Sequence, residues 1–148
     1  MALVHEIAAG AKVAFDTNSL LIYYVEEHPR YLAGIQPVFD LIKAGVAIGH
    51  VAMVTYMEVL VGPLRDGLDA LADSYRNIFS ARRDFILHPM TLAIAERAAL
   101  IRANFSLRTP DAIVAATAIE RDCSHLITND PTCRRVEGLR ILVIDDYV

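Results

Sequence analysis

Residues Leu107–Pro131 read LRTPDAIVAATAIERDCSHLITNDP. The stretch decides the fold because it holds a helix and a strand back to back. Thr109 can cap a helix that runs to Asp122, with Pro110 at its first position and Asp111 at its second. The body of that helix is apolar or small, as in a helix packed on more than one side. SHLIT (Ser124–Thr128) follows as a short apolar strand, stopped by Asn129-Asp130-Pro131. An acid therefore stands at each end of the most hydrophobic unit of the chain.

The same alternation extends outward. KVAFD (Lys12–Asp16) reads as a buried strand stopped by an acid, and TNSLLIYYVEEH as a helix capped by Thr17 or Asn18. Further helices are expected over Tyr31–Ala44, with Pro37 inside or breaking it, and over AMVTYMEVLVGPL, ending near Gly62-Pro63. Asp66–Arg83 carries Leu68, Leu71, Tyr75 and Phe79 along one face, and Thr91–Asn104 is strongly periodic. Val46–His50, DFILHP and Leu139–Asp145 are the remaining strands. Short apolar strands alternating with helices predict one α/β/α sandwich on a mainly parallel sheet, a single domain over residues 1–148 with 1–12 as an N-terminal extension.

Bulk properties agree with a globular chain. It has 148 residues, enough to bury roughly two thirds of its unfolded surface. Hydrophobic residues make up 55% and charged residues 22%, which excludes a disordered polymer. No apolar run reaches the roughly 18 residues of a membrane span, and MALVHEIAAGAKV does not read as a secretory signal. Cys123 and Cys133 lack metal-ligand spacing, read as packing residues, and suit a reducing cytoplasm. The net charge of −4 argues against a protein that coats nucleic acid through overall basicity, though not against a local basic patch.

Four acids carry the chemical argument. Asp16 ends a strand, Asp130 follows one, and Asp111 opens a helix; each, taken alone, is also an ordinary cap, turn or dipole residue. Glu58 sits in the apolar run around Met53, Tyr56, Met57, Val59 and Leu60, with no Lys or Arg within one helical turn. It is either a solvated helix face or a carboxylate that needs a partner. In parallel sheets ligands bind beyond the carboxyl ends of the strands, where Asp16 and Asp130 fall. Such a set suits a hard cation, Mg²⁺ or Mn²⁺, more than Zn²⁺, because the five histidines show no ligand spacing. The natural chemistry is metal-assisted hydrolysis of a phosphodiester.

VAFDTNSLLIYY, TYMEVLVGPL, LRTPDAIVAATAIERDCSHLITND and RRVEGLRILVIDD together resemble PIN-domain ribonucleases and, within that family, the VapC toxins of toxin–antitoxin pairs. The resemblance implies a Mg²⁺- or Mn²⁺-dependent endoribonuclease with Asp16, Glu58, Asp111 and Asp130 as its acidic quartet. In it, Asp16, Asp111 and Asp130 would hold metal, and Thr17, Asn18 and Thr128 would orient the metal, water or carboxylates. It further implies a homodimer neutralised by a cognate antitoxin. The chain departs from the pattern at Cys133, where many relatives carry an aromatic residue, and in its longer segment Met1–Lys12; at Cys133 we expect repacking without catalytic loss.

RNA phosphates are gripped mainly by Arg and Lys. Arg108 and Arg134 lie nearest the acids in sequence; Arg82-Arg83, Arg102, Arg135 and Arg140 are further candidates. With five Phe, six Tyr and no Trp, no extensive base-stacking platform is expected, and Tyr23 and Tyr24 read as core or interface. Three rival readings remain. A haloacid-dehalogenase-type phosphatase needs an acid where Asn18 stands, and both it and a receiver domain need a late lysine, whereas no lysine follows Lys43. The third is an inactive PIN-like RNA-binding or scaffolding protein, against which the four intact acids speak.

Overall fold

The computed structural model describes residues 1–25, 28–80 and 85–148. Five parallel strands form one sheet in the order β3-β2-β1-β4-β5: β1 (Lys12–Phe15), β2 (Ile48–Ala52), β3 (Phe85–His88), β4 (His125–Thr128) and β5 (Arg140–Val143). Helices α1 (Thr17–Val25), α2 (Pro29–Lys43), α3 (Met53–Arg65), α4 (Asp69–Ser80), α5 (Leu92–Phe105) and α6 (Thr109–Glu120) complete the layers. From β1 the chain works outward through β2 and β3, then returns to lay β4 on the other side of β1. The strand order therefore reverses between β1 and β4, and a reversal of this kind opens a crevice at the carboxyl ends of the two strands.

Alternation along β1 divides the two faces. Val13 and Phe15 enter the larger core with α1, α2 and α4, where the Phe15 ring lies 5.0 Å from Phe39 and 5.9 Å from Phe85. Ala14 turns to the other face and packs with Ala52, Leu126, Val114 and Ala118. Helix α6 is wrapped on both sides: Val114 and Ala118 meet the sheet, while Ala112, Ala115 and Ala116 meet Ile94, Ala98 and Ile101 of α5. Small side chains let α6 approach sheet and neighbouring helix at once, which accounts for its nearly uniform apolar sequence. Cys133 is buried among these α5 and α6 residues, and burial pushes its thiol up to about 12 and that of Cys123 up to about 11.

Several boundaries differ from the sequence expectation. The strand expected over Val46–His50 runs two residues later, Ile48–Ala52, because Gly45 (φ +76°) closes α2 and the Val46 and Ala47 amides fold back onto the Leu41 carbonyl. Helix α3 does not stop at Gly62-Pro63 but continues to Arg65. Pro63 falls within its last turn, and the chain leaves at Gly67 with φ +69°. Pro37 is likewise contained within α2. In α4 the buried face is Ala72, Tyr75 and Phe79, while Leu68 and Leu71 are exposed. Helix α6 starts at Thr109 with Arg108 as its N-cap, so Asp111 is one position deeper than expected. Met1–Lys12 is built into the fold: a 3-10 turn (Leu3–Glu6) places Leu3 and Ile7 in the larger core.

One buried polar contact lies away from the crevice. His50 Nδ1 and His88 Nε2 are 2.7 Å apart, with rings stacked at 4.9 Å and 10°. His50 Nε2 is buried without a partner among the described residues, so the tautomer we assign has Nδ1–H of His50 donating to His88. Burial, then His88, Lys12 and Arg121, hold His50 down at about 4 against an ordinary 6.5; burial and Arg121 also lower His88. The folded protein thus keeps His50 neutral where the unfolded chain takes up a proton. Stability should fall as pH drops from about 6.5 towards about 4. Urea midpoints measured across that window should move less in His50→Leu than in the parent, and equal slopes would contradict the assignment.

Candidate active site

The register of the two central strands builds the site. Phe15 pairs with Ile127, so the next residues, Asp16 and Thr128, emerge side by side at the switch point. Thr128 Oγ1 donates to Asp16 Oδ2 at 2.5 Å and accepts the Asp130 amide at 3.0 Å. A single hydroxyl thereby ties the acid after β1 to the acid after β4. Asp16 Oδ1 accepts the Ser19 amide at 2.8 Å, and its carbonyl accepts Ser19 Oγ at 3.0 Å. Asp16 itself therefore caps α1, in place of Thr17 or Asn18, which lie in the first turn. Asp130 in turn caps the 3-10 turn Pro131–Arg135, accepting the Thr132 amide at 2.9 Å and hydroxyl at 2.8 Å.

Two helices deliver the other acids. Glu58 on α3 accepts from Thr17 Oγ1 at 2.7 Å, so the partner its apolar helix lacked comes from α1. Asp111, in the first turn of α6, accepts from Arg108 Nε at 3.0 Å. The Asp111 side chain is 14% exposed and that of Arg108 77%, so the guanidinium covers a mostly buried acid from the solvent side. Asp16, Thr17, Asn18, Glu58, Arg108, Asp111 and Asp130 line one cleft of about 290 Å³, with Leu21 and Val114 as apolar wall.

Electrostatics mark this cleft as wanting positive charge. Burial raises the Asp16 pKa above its ordinary 3.8, against hydrogen bonds from Thr128 and Ser19 that lower it, and the Asp111 charge raises it further. Asp111 attracts a guanidinium, and Arg108 is held above its usual range first by that hydrogen bond. Oxygen donors alone make up the polar lining apart from Arg108 and the Asn18 amide nitrogen, a set that fits a hard divalent cation. Among the described residues no three His, Cys, Asp or Glu side chains are grouped tightly enough to hold an ion, so the acids share a cleft without forming a closed cage.

The arginines expected at the substrate divide. Arg108 lines the cleft. Arg134 does not: it pairs with Asp146 in a neighbouring cavity with Tyr31, Asn129 and Asp145. Arg102 donates to the Leu107 carbonyl and Arg140 pairs with Glu6, so both have structural tasks. Arg135 is exposed, and Arg82-Arg83 lie outside the described residues. Ser19, Leu21 and Val114 at the cleft and Asn129 beside it are not among the residues expected from the sequence. Ser19 was legible from its place three residues after Asp16, the spacing of a capping partner; Asn129, whose Oδ1 accepts the Asp145 amide, had no local signal.

A family model described as PIN domain matches residues 13–139. Among solved structures, VapBC2 from Rickettsia felis bound to a promoter DNA fragment is similar with a TM-score of 0.69 and 15% identity, covering 89% of this chain and 98% of that one. A toxin–antitoxin complex from Klebsiella pneumoniae gives a TM-score of 0.62 and 24% identity, over 89% of this chain and 97% of that one. FitAcB from Neisseria gonorrhoeae gives 0.67 and 17%, over 89% and 97%. At these identities the likeness is one of fold. No curated protein matches the sequence.

Thr128 offers the sharpest structural test. Thr128→Val keeps the shape but leaves the buried Asp16 carboxylate without this donor and the Asp130 amide without its acceptor. A loss of roughly 1–3 kcal/mol is expected in urea unfolding, with Thr128→Ser close to the parent. Equal losses in both variants would mean that the methyl group, and not the hydroxyl, matters.

Proposed function

The chain belongs to the PIN domain family, and on that premise we propose that it is a divalent-metal-dependent endoribonuclease, the toxin of a toxin–antitoxin pair acting in the cytoplasm. The observation that carries this reading is the common cleft of Asp16, Glu58, Asp111 and Asp130 at the β1–β4 switch point. Asp16, Asp111 and Asp130 would hold Mg²⁺ or Mn²⁺, which supplies an acidified water and neutralises phosphate charge. Thr128 fixes Asp16 and Asp130 relative to each other, and Thr17 fixes Glu58. Glu58 is then placed to orient the attacking water and accept its proton. Water adds across one phosphorus–oxygen bond, and the leaving oxygen departs with a proton from solvent. Asn18 and Thr17 supply further polar contacts at the rim.

Arg108 has a dual place in this scheme. Its guanidinium covers Asp111 in the resting cleft, and with Asp111 holding metal it would instead meet an RNA phosphate at the mouth. Arg134 would serve phosphates further along, after release from Asp146. An inactive RNA-binding relative is disfavoured by the hydrogen bonds that orient three of the four acids without a buried countercharge among the described residues.

The partners follow the same reading. Met53, Met57, Val61 and Leu64 are all exposed along α3, a helical stripe that suits a second copy of the chain. Among the described residues no helix is long and apolar enough to cross a membrane. The toxin–antitoxin complexes among the similar folds support a cognate antitoxin.

Two experiments test the proposal. Purified protein with Mn²⁺ should cut RNA internally, and Asp111→Asn should lose at least the ~100-fold that altering outer-shell partners of a metal site costs. If Asp111 served only the helix start, the variant would lose about 0.3–1 kcal/mol of stability and keep its cleavage. Separately, millimolar Mg²⁺ or Mn²⁺ should raise the melting temperature of the parent but not of Asp16→Asn; a shift of the same size in both would remove Asp16 from the site. For the dimer, Val61→Lys with Leu64→Lys should halve the mass seen by light scattering.

A further inference from the structure

The acidic cleft carries a cation of its own. Among the described residues Arg108 is the one basic side chain that lines it, against four carboxylates. Arg30, Arg102 and Arg134 are engaged elsewhere, with Asp145, the Leu107 carbonyl and Asp146. Arg108 owes its place to local sequence. Asp111 follows three residues on, in the first turn of α6, so the pair closes as that turn forms. The Arg108 side chain makes no capping hydrogen bond to the helix; its Nε donates to Asp111 Oδ2 at 3.0 Å instead. The charges of Asp130 and Glu58 add to the hold of Asp111 on the guanidinium. A fixed positive charge therefore stands among the same carboxylates that suit a divalent ion.

We propose that Arg108 is a resident countercharge that competes with the divalent cation for Asp111, and so sets the metal concentration at which the site fills. The proposal rests on the metal-dependent reading of the cleft and adds regulation to it. Two positive charges held at close range on one carboxylate repel each other, so the cleft favours one cation or the other on Asp111. Asp111 is mostly buried, which makes it worth holding, whereas the guanidinium is largely exposed and its departure uncovers no packed surface. An arginine cannot give up its proton, so Arg108 leaves Asp111 only by moving and never by titrating. Its exposed stem swings towards the mouth of the cleft, where an RNA phosphate would meet it. Metal and RNA then favour each other's binding by the same factor, because each draws apart the one pair that opposes the other. Without either ligand, the countercharge keeps the gathered acids tolerable to the fold.

The test measures metal binding in the absence of RNA. Mn²⁺ is titrated into the full chain and its free form is read by electron paramagnetic resonance, for the parent and for Arg108→Gln. Removing the competitor should tighten Mn²⁺ binding about fivefold, the upper end of what an exposed ion pair contributes. Arg108→Ala, which also lacks the charge, should match Arg108→Gln, and Arg108→Lys should stay near the parent. Arg76→Gln breaks an ion pair of the same spacing on α4 and removes the same charge, yet should leave the affinity unchanged. Melting curves verify folding and give a second reading: metal-free Arg108→Gln should melt below the parent, and Mn²⁺ should raise its melting temperature by more degrees. In cleavage assays the Mn²⁺ needed for half-maximal rate should fall in Arg108→Gln while KM for RNA rises, a split that a damaged fold does not produce. Affinity that is unchanged or weaker in both uncharged variants overturns the proposal and leaves the metal site standing. Equal tightening in Arg76→Gln traces the effect to overall charge and overturns it too. If neither the parent nor the variants bind Mn²⁺, the metal-dependent reading falls and the proposal falls with it.

Discussion

The hydroxyl of Thr128 is the joint on which the site depends. It donates to a buried carboxylate after β1 and accepts from a backbone amide after β4. Without it, the buried Asp16 carboxylate would lose a donor and the Asp130 amide its acceptor, and the two loops would lose this tie. That joint exists only because β1 and β4 are adjacent and in register, which follows from the sheet order 3-2-1-4-5. Helix α6, which carries Asp111, packs through its small residues against sheet and α5 together. Fold and site are thus consequences of the same arrangement.

Holding acids together has an energetic side. Asp16 is buried and resists ionisation, and the chain answers with a helix-capping amide and a hydroxyl, while Arg108 pairs with the neighbouring Asp111, without a buried countercharge among the described residues. Arg108 is the adjustable part of that answer. It stands at the solvent boundary, where an ion pair is weak, so it neutralises Asp111 without being locked in place. A buried arginine in its place would have fixed the charge permanently. The exposed position keeps the cleft responsive.

Much of this was legible in the residues. Strand–helix alternation and acids at strand ends were enough to expect the sandwich and to suspect the carboxylates, because burial and sheet geometry act on local patterns. Glu58 stood out through its apolar neighbours, but its partner Thr17 is 41 positions away, and no periodicity encodes that. Arg134 lies close to Asp130 in sequence, yet the 3-10 turn that Asp130 caps delivers it to Asp146. Helix α3 ran past Pro63 because a proline in a last turn sacrifices a single hydrogen bond, too little to end a helix held by its buried face. Long-range pairs and turn directions were the unreadable part.

The carboxyl end of the chain is not a loose tail. After β5 a 3-10 turn (Ile144–Tyr147) brings the Asp145 amide to Asn129 Oδ1, beside Asp130, and its carboxylate to Tyr31. Val148 then lies against α2 so closely that a Cβ on Gly34 would come within 2.5 Å of its side chain, and its carbonyl accepts from Arg30. A push on Val148 would therefore be felt in α2 at Gly34 and Arg30. Asp145, which Arg30 also meets, passes it on to Asn129 next to a site acid, so this stretch works as a lever arm between the second helix and the cleft.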